Sequence, residues 1–452
     1  YFYSYSFLKA DENEDTCRIH QEKIAAAVDI TSATKFFNLN LHQFGPYRIN
    51  YTQNGRFLLL GGHMGHVAAL DWVTKSLMCE INVMESVHDI KWLHIPTMFA
   101  VSQKNWVYIY DNQGIELHCI KKLYRVQKME FLRYHFLLAC ASETSYLSWL
   151  DVSVGKMVAQ FYAKSGHLDV LCQNPYNAIL VAGHPNGTIS MWSPNVEEPV
   201  VKMLCHTQPV RSISVDSRGM YLVTGSADRV VKVWDIRNYK CLQSYRVGGP
   251  PVQLTFSQRG LLGVAMDNTV EIYKDCCVST ATKPYLRHKA PAPVTNLEFC
   301  PYEDVLGIGH NKGFTSILVP GAGEPNFDAY ECNPYMTKTQ RREMEVKALL
   351  EKVQPELISL DPGKIGELDI PTLKDKIENK KKLLYVKPLD IELELQKKKK
   401  GKTSALKMQK RKDDVKEQGK KKFIQDTIEK KQKKTELVKR KENVLDRFRS
   451  KH

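Results

Sequence analysis

Several side chains in one short stretch of the chain are of types that could do acid–base chemistry. Residues 206–235 contain His206, Thr224, Ser226, Asp228 and Trp234 within thirty positions. A histidine beside a carboxylate is a common general acid–base pair, and a hydroxyl is a common nucleophile. The same side chains could instead form a buried polar network, which is tolerated only when each member is hydrogen-bonded. The elements that position these residues decide between the two.

These residues belong to a four-strand pattern that recurs along the chain. In residues 206–245, four short alternating runs (VRSISV, YLVTGS, VVKVWD and CLQSY) are separated by turn residues. Aligned ends of the third run fall at positions 70, 110, 150, 192, 234, 273 and 318, at intervals of 39 to 45 residues. A period of this length with four strands indicates a WD-type β-propeller. WD repeats place a buried polar network at the positions of His206, Thr224 or Ser226, Asp228 and Trp234, so we interpret these side chains as structural rather than catalytic.

Other patterns that could carry chemistry lack their partners. "GAGEPN" at 321–326 resembles a phosphate-binding loop but lacks the downstream Gly-Lys-Ser/Thr. The eleven cysteines are scattered, contain no CxxC pair, and are typical of free thiols in a reducing compartment. No apolar run reaches the roughly 20 residues of a membrane helix. We therefore expect a protein that is not an enzyme, with no cofactor, metal, membrane or small-molecule substrate.

A propeller needs a strand to close its last sheet, and the run at 35–42, "KFFNLNLH", has the required alternation. We assign it as the closing strand, and predict a short helix over residues 16–30. After position 319 the repeat stops. Thr337 and Gln340 form a capping box, and Val346, Leu349, Leu350 and Val353 follow at helical spacing. This predicts an amphipathic helix of about 17 residues, whose apolar face we expect to dock on the same protein rather than on a partner.

Positive charge is concentrated at the end of the chain. Residues 380–452 contain 27 Lys and Arg against 11 Asp and Glu, whereas the formal net charge of the whole chain is +15. Clustered lysines bind phosphates by releasing counterions, without reading sequence. The tail has few aromatic residues for base stacking, so we predict backbone contacts to RNA. The alternative is a solvated run or a nuclear import signal. The candidate contacts are Lys397, Lys398, Lys399, Lys400, Lys420, Lys421, Lys422, Arg440 and Lys441.

Residues 309–362, with "LVPGAGEPNFDAYECNPY" followed by "TKTQRREMEVKALLEKVQPELISLDP", resemble the BING-four C-terminal domain of a family of nucleolar WD-repeat proteins. The runs 24–41 and 45–62 resemble that family's approach to its propeller. The family motif falls on Gly313, Ser316, Pro320, Gly321, Gly323, Glu324, Pro325, Asn326, Asp328, Asn333, Pro334, Arg341 and Arg342.

The resemblance implies a non-catalytic scaffold of the small-subunit processome, the particle that contains U3 snoRNA and matures 18S rRNA. Processome proteins and precursor rRNA or U3 snoRNA are the implied partners, in the nucleus and nucleolus, and no homo-oligomer is expected. The motif residues are candidates for docking protein or RNA. An alternative follows from Trp234-Asp235-Ile236-Arg237, a WDxR pattern found in substrate receptors of cullin-type ubiquitin ligases.

The fold predicted is all-β: a seven-bladed WD40-type propeller, a small helical or irregular C-terminal module, and a basic tail that is partly helical or disordered. The predicted boundaries are 1–34 for an N-terminal extension, 35–319 for the propeller, 320–379 for the family domain and 380–452 for the lysine-rich tail.

Overall fold

The computed structural model describes residues 7–9, 14–281, 283–363, 370–383 and 405–440. The chain divides into two compact units, Tyr1–Gly366 and Glu367–His452. The first unit contains every described strand, and its architecture is a seven-bladed β-propeller. The second contains the helices of the basic tail.

Each blade is a four-stranded antiparallel sheet, and strands follow chain order from the innermost strand to the outermost one. Blade 1 consists of β2 Tyr47–Tyr51, β3 Phe57–Gly62, β4 His66–Asp71 and β5 Ser76–Asn82, and blade 2 of β6 Val87–Trp92, β7 Met98–Gln103, β8 Trp106–Asp111 and β9 Glu116–Tyr124. Blade 3 consists of β10 Val126–Leu132, β11 Leu137–Ser142, β12 Tyr146–Asp151 and β13 Lys156–Tyr162, and blade 4 of β14 Val170–Gln173, β15 Leu180–Gly183, β16 Thr188–Trp192 and β17 Val201–Leu204. Blade 5 consists of β18 Val210–Val215, β19 Tyr221–Ser226, β20 Val230–Asp235 and β21 Lys240–Arg246, and blade 6 of β22 Pro251–Phe256, β23 Leu262–Met266, β24 Thr269–Tyr273 and β25 Leu286–Lys289. Blade 7 consists of β26 Val294–Phe299, β27 Val305–His310 and β28 Gly313–Leu318, with β1 Phe37–Asn40. The predicted number of blades is confirmed.

The outermost strand of blade 7 comes from the other end of the propeller sequence. β1 pairs antiparallel with β28, with Phe37 opposite Ser316 and Asn40 opposite Gly313. The Ser316 hydroxyl adds a bond at this edge by donating to the Lys35 carbonyl at 2.7 Å. The predicted closing strand is therefore confirmed.

A short helix is present in this stretch, as expected, but it covers only part of residues 16–30. The chain forms a 3₁₀ turn at Thr16–Arg18, helix α1 at Gln21–Ala27 and helix α2 at Ile30–Ala33. Contacts with blade 7 explain the breaks. The Gln21 side chain accepts from the Leu318 N–H at 2.9 Å and donates to its carbonyl at 3.1 Å, and Ile24 is buried beside it. Extended backbone at His20 and Val28 lets the chain follow that edge.

Glycine is required where a turn of one blade meets the next blade. Gly187, before β16, has φ +78°, and a Cβ there would lie 2.0 Å from the His206 carbonyl oxygen. Only glycine adopts this conformation without strain and also leaves space for the neighbouring backbone. The second strands behind these turns are the core of each blade, and β3, β11, β19 and β27 are buried along all or nearly all of their length.

The predicted polar network of blade 5 lies in the interior of the sheet. Nε2 of His206 is 2.8 Å from Oγ1 of Thr224, which also accepts from Nε1 of Trp234 at 3.0 Å. Asp228 lies 3.8 Å from the other side of the His206 ring and caps the turn by accepting from the Val230 N–H. Ser226 instead donates to the Gln208 carbonyl at 3.3 Å, so the hydroxyl of this network belongs to Thr224.

Blade 4 contains a similar cluster built from other positions, with the Ser190 hydroxyl of β16 between His184 and Trp192. Burial lowers the pKa of His206 despite the nearby Asp228, and it lowers the pKa of His184 to about 4. Both rings are therefore neutral near pH 7, as a structural role requires.

Removing the central hydroxyl of this network tests its role. We expect Thr224→Val to lower the free energy of unfolding by roughly 1–3 kcal/mol, because His206 and Trp234 lose their shared partner inside the sheet. Ser226→Ala is the matched control and is expected to cost less than about 1 kcal/mol, because its bond to the Gln208 carbonyl is long, at 3.3 Å. Chemical denaturation measures the free energy of unfolding of both variants, and equal losses would contradict Thr224 as the hydroxyl of the network.

Candidate interface formed by the C-terminal segment

The two faces of the ring are formed by different sets of turns. Turns that join the first strand to the second, and the third to the fourth, lie together on what we call the lower face. All the other turns lie on the upper face. The lower-face turns are 52–56, 72–75, 93–97, 112–115, 133–136, 152–155, 174–179, 193–200, 216–220, 236–239, 257–261, 274–281 with 283–285, and 300–304.

The C-terminal segment, residues 320–361, leaves β28 and turns onto the lower face at once. Gly321 has φ +86°, and a Cβ there would lie 2.5 Å from the Phe7 ring. The Gly323 N–H donates to Oδ1 of Asp304 at 2.8 Å, and the Glu324 N–H donates to the Gln258 side chain at 3.2 Å. These contacts fix the start of the segment on blades 7 and 6.

Two arginines of the propeller hold the next part of the segment. Arg56 pairs with Asp71 at 2.9 Å and donates to the Pro334 carbonyl at 2.8 Å. Arg133 lies 3.2 Å from the carboxylate of Glu331 and also approaches the buried Cys332 thiol. The segment has thus crossed from blade 7 to blades 1 and 3.

The helix predicted after the capping box is present but shorter than expected. Helix α3 covers Lys338–Leu350, thirteen residues, and the reciprocal bonds between Thr337 and Gln340 form its capping box. The expectation that its apolar stripe docks on the same protein is wrong, because Val346, Leu349 and Leu350 are all exposed, Leu350 by 82%. A polar contact, Glu345 to His94 at 3.4 Å, ties the other side of the helix to blade 2.

Beyond α3 the backbone of the segment is held by side chains of blades 3 and 4. The Val353 N–H donates to the Tyr134 carbonyl at 2.9 Å, and the Val353 carbonyl is 3.1 Å from Nδ1 of His135. Ser193 donates to the Ile358 carbonyl at 2.9 Å, and Asn195 donates to the Glu356 carbonyl at 2.8 Å. Ile358 is buried against the core of these blades.

An ion pair also links Lys352 to Asp151, two side chains that are only 13% and 10% exposed. Burial raises the pKa of Asp151, but bonds from Lys352 and Ser153 outweigh it and hold the pKa below its usual range. Burial lowers the pKa of His135 against the opposing effect of its Val353 bond. At neutral pH, Asp151 therefore holds Lys352 as an ionised carboxylate, and His135 contacts the Val353 carbonyl as a neutral imidazole.

Sequence reasoning identified the third-strand ends at Asp71, Asp151 and Ser193 but not their use. These three equivalent positions of different blades hold the segment, Asp71 through Arg56 and the other two directly. The motif residues chosen from sequence were on the segment itself. The sequence did contain a signal for these residues, because a carboxylate or hydroxyl recurs at the end of the third strand, on the lower face of the ring.

The predicted motif residues divide into those that face the propeller and those that do not. Gly323, Glu324 and Pro334 bond to it through their backbone, and Gly321 lies close to the Phe7 ring of the N-terminal extension. Asp328 and Asn333 accept from the N–H groups of Tyr330 and Tyr335 within the segment. Pro325 lines a cavity with Glu324 beside blades 5 and 6, and Asn326 and Arg342 are exposed. Arg341 is half-buried, and its Nε has no hydrogen-bond partner among the described residues.

The second unit contains helix α4 at Ile370–Leu383 and helix α5 at Ala405–Arg440. Lys420, Lys421 and Lys422 are exposed on α5, and Arg440 is its last residue. Lys397, Lys398, Lys399, Lys400 and Lys441 lie outside the described residues. At 36 residues, α5 is about 54 Å long. Fourteen Lys and Arg against six Asp and Glu make it basic along its length.

Within residues 7–9, 14–281, 283–363, 370–383 and 405–440, no group of three or more His, Cys, Asp or Glu is placed to hold a metal ion. In the same part of the chain, none of the helices has both the length and the apolar character needed to cross a membrane. The eleven cysteines are free thiols.

Comparisons with known proteins agree with this geometry. The BING4CT (NUC141) domain profile matches residues 284–361, which includes the last strands of blade 7 and ends where the segment ends. The profile of the WD domain, G-beta repeat, matches residues 197–235, in blades 4 and 5. The chain is 49% identical over 450 residues to WD repeat-containing protein 46 of Homo sapiens, covering 98% of this chain and 74% of that protein.

This chain belongs to the WD repeat-containing protein 46 family.

A Caenorhabditis elegans member of this family is 49% identical over 414 residues, covering 91% of this chain and 71% of that protein. U3 small nucleolar RNA-associated protein 7 of Saccharomyces cerevisiae is 42% identical over 376 residues, which is 79% of this chain and 68% of the yeast protein. The similarity to the family thus covers the propeller and the C-terminal segment together.

Lys352 provides a direct test of segment docking. We expect Lys352→Met to weaken docking by about 1–3 kcal/mol, because Asp151 stays buried without its cation. The exposed Lys347, which pairs only with Glu351 on α3, provides the control Lys347→Met. Limited proteolysis under native conditions measures cleavage within 351–361, which should rise roughly tenfold or more for Lys352→Met alone. Equal cleavage of the two variants would contradict the assigned role.

Proposed function

We propose that this protein is a non-catalytic scaffold of the small-subunit processome in the nucleolus. It binds other assembly factors through the propeller and the C-terminal segment, and it binds precursor rRNA or U3 snoRNA through its basic tail. This activity supports the maturation of 18S rRNA. The observation that carries the proposal is the 42% identity to a yeast protein named for its association with U3 small nucleolar RNA.

The exposed side of the C-terminal segment supports a role in binding proteins. Val346, Leu349 and Leu350 of α3 face solvent, and the rings of Tyr330 and Tyr335 are 81% and 72% exposed. The segment holds these side chains in place through the bonds from its other side to the propeller. A fixed scaffold presenting apolar and aromatic side chains loses little conformational entropy when a partner binds. We therefore assign protein docking to this exposed side, with Arg342 beside it.

Helix α5 supports RNA binding in the tail. The lysines of α5 between Lys407 and Lys433 are exposed on a long helix, an arrangement that suits contacts along a phosphate backbone rather than a pocket for one base. The ligase-receptor alternative gains no support: Arg237 of the WDxR pattern folds back on Asp235, with Nε 3.2 Å from its carboxylate.

Co-purification tests the scaffold assignment. Tagged full-length protein isolated from cells should carry U3 snoRNA and precursor 18S rRNA well above an unrelated nucleolar WD-repeat protein, as measured by quantitative reverse transcription. Recovery of a cullin adaptor without U3 snoRNA would contradict the assignment.

The RNA role of α5 is tested by reversing three of its charges. We expect Lys420→Glu, Lys421→Glu and Lys422→Glu together to reduce the slope of log affinity against log salt by about 2 for single-stranded RNA, because about three phosphate contacts are lost. The control reverses three exposed lysines on outer strands, Lys156, Lys202 and Lys240, for the same change in net charge. Anisotropy titrations over a salt series measure the slope. Identical slopes in both variants would remove α5 from the RNA interface.

A further inference from the structure

One cross-strand pair in the blades consists of Trp or Tyr residues in two neighbouring blades and in no other. It is the pair formed by the first residue of the third strand and the last residue of the fourth. In blades 2 and 3 these pairs are Trp106 with Tyr124 and Tyr146 with Tyr162. In blades 1, 4, 5, 6 and 7 the pairs are His66 with Asn82, Thr188 with Leu204, Val230 with Arg246, Thr269 with Lys289, and Gly313 with Asn40. The fold therefore does not require aromatic rings at this position.

These four side chains, which we call the aromatic edge, border the upper face. The rings of Tyr124, Tyr146 and Tyr162 are 46%, 41% and 51% exposed, although burial would stabilise the fold. The Tyr146 and Tyr162 rings lie 5.3 Å apart, centre to centre. The C-terminal segment makes its contacts on the lower face, so in the described part of the chain it leaves this edge uncovered.

Cations accompany the rings. Nζ of Lys121 is 5.5 Å from the centre of the Trp106 ring, and the Arg125 guanidinium is 5.4 Å from that of Tyr124. Lys104 and Lys164 are exposed in the adjoining turns. Carboxylates are fewer here: Glu143 lies 3.9 Å from Arg125, and Asp169 ends the last of these turns.

Hydrogen bonds join the turns of both blades into one continuous strip. The Arg125 N–H donates to the Asn105 carbonyl at 2.8 Å, and the Arg125 carbonyl accepts from the Glu143 N–H at 2.9 Å. The Ser142 hydroxyl donates to the Tyr124 carbonyl at 2.6 Å. Arg125 and Lys164 have φ of 46° and 54°, the left-handed region that residues with side chains rarely adopt. The strip is thus pre-organised, because its backbone conformation fixes the positions from which Arg125 and Lys164 extend their side chains.

We propose that the aromatic edge binds single-stranded RNA. Unpaired bases stack on exposed aromatic rings, and lysine and arginine beside them neutralise the phosphates. A duplex keeps its bases stacked internally and cannot use these rings in the same way. The proposal rests on the proposed function for the identity of the RNA, and it adds a second RNA site, on the propeller, with a different preference from α5.

The test uses the full-length protein and two probes, a labelled 12-nucleotide RNA of mixed sequence and the 12-base-pair duplex of the same sequence. Salt of about 0.3 M suppresses the electrostatic contribution of the lysine helix. We expect the double variant Tyr124→Ala, Tyr162→Ala to lose at least tenfold in affinity for the single strand and to bind the duplex unchanged. Tyr124→Phe, Tyr162→Phe keeps the rings and should retain binding.

The control is Tyr176→Ala with Tyr239→Ala, two exposed tyrosines of the lower face, which should not alter binding. Ultraviolet crosslinking of wild-type protein to the single strand should map to the aromatic edge. Unchanged single-strand affinity, equal losses for strand and duplex, or loss of a protein partner with RNA binding intact would each overturn the proposal. Failure of the scaffold assignment is distinguishable from failure of this proposal. In that case U3 snoRNA would be absent from the co-purification, while binding of the 12-nucleotide RNA would still depend on the aromatic edge.

Discussion

The ring depends on one short pairing, the four residues of β1 against β28. A propeller without it would expose the edge of its last sheet and lose the contacts that join its first and last blades. Those contacts are extensive, since Leu58 of blade 1, Ala265 of blade 6 and Phe314 of blade 7 belong to one buried cluster. The cluster also receives Phe37 and Leu39 of β1, so strand pairing and core packing close the ring together.

Blade 7 is also where the C-terminal segment begins, and this gives the two faces of the ring different roles. The segment leaves β28 and is bonded in turn to the lower-face turns of several blades, through Arg56, Arg133, Lys352 and Ser193. Backbone groups that would otherwise need water are satisfied by these side chains. The segment therefore covers part of the lower face, while the upper face is formed by the propeller itself.

The repeat period and turn residues were sufficient to predict seven blades, the closing strand and the capping box, because each follows from local chemistry. The details that failed were set by contacts of single side chains with the propeller. Helix formation at 16–30 was interrupted by the bonds of Gln21 to blade 7, and the stripe of α3 was left in solvent because a polar pair, Glu345 with His94, holds that helix. The network hydroxyl could not be chosen from sequence either, since Thr224 and Ser226 point to the same face of β19.

The central claim is that the C-terminal segment and the propeller are one structural unit. Amide hydrogen exchange of the full-length protein at the Val353 N–H, which bonds to Tyr134 of blade 3, tests this most directly. The account predicts protection comparable with that of the lower-face turns of blade 3, because exchange requires the segment to leave the ring. Exchange at the rate of an unstructured peptide, with the propeller strands still protected, would contradict it.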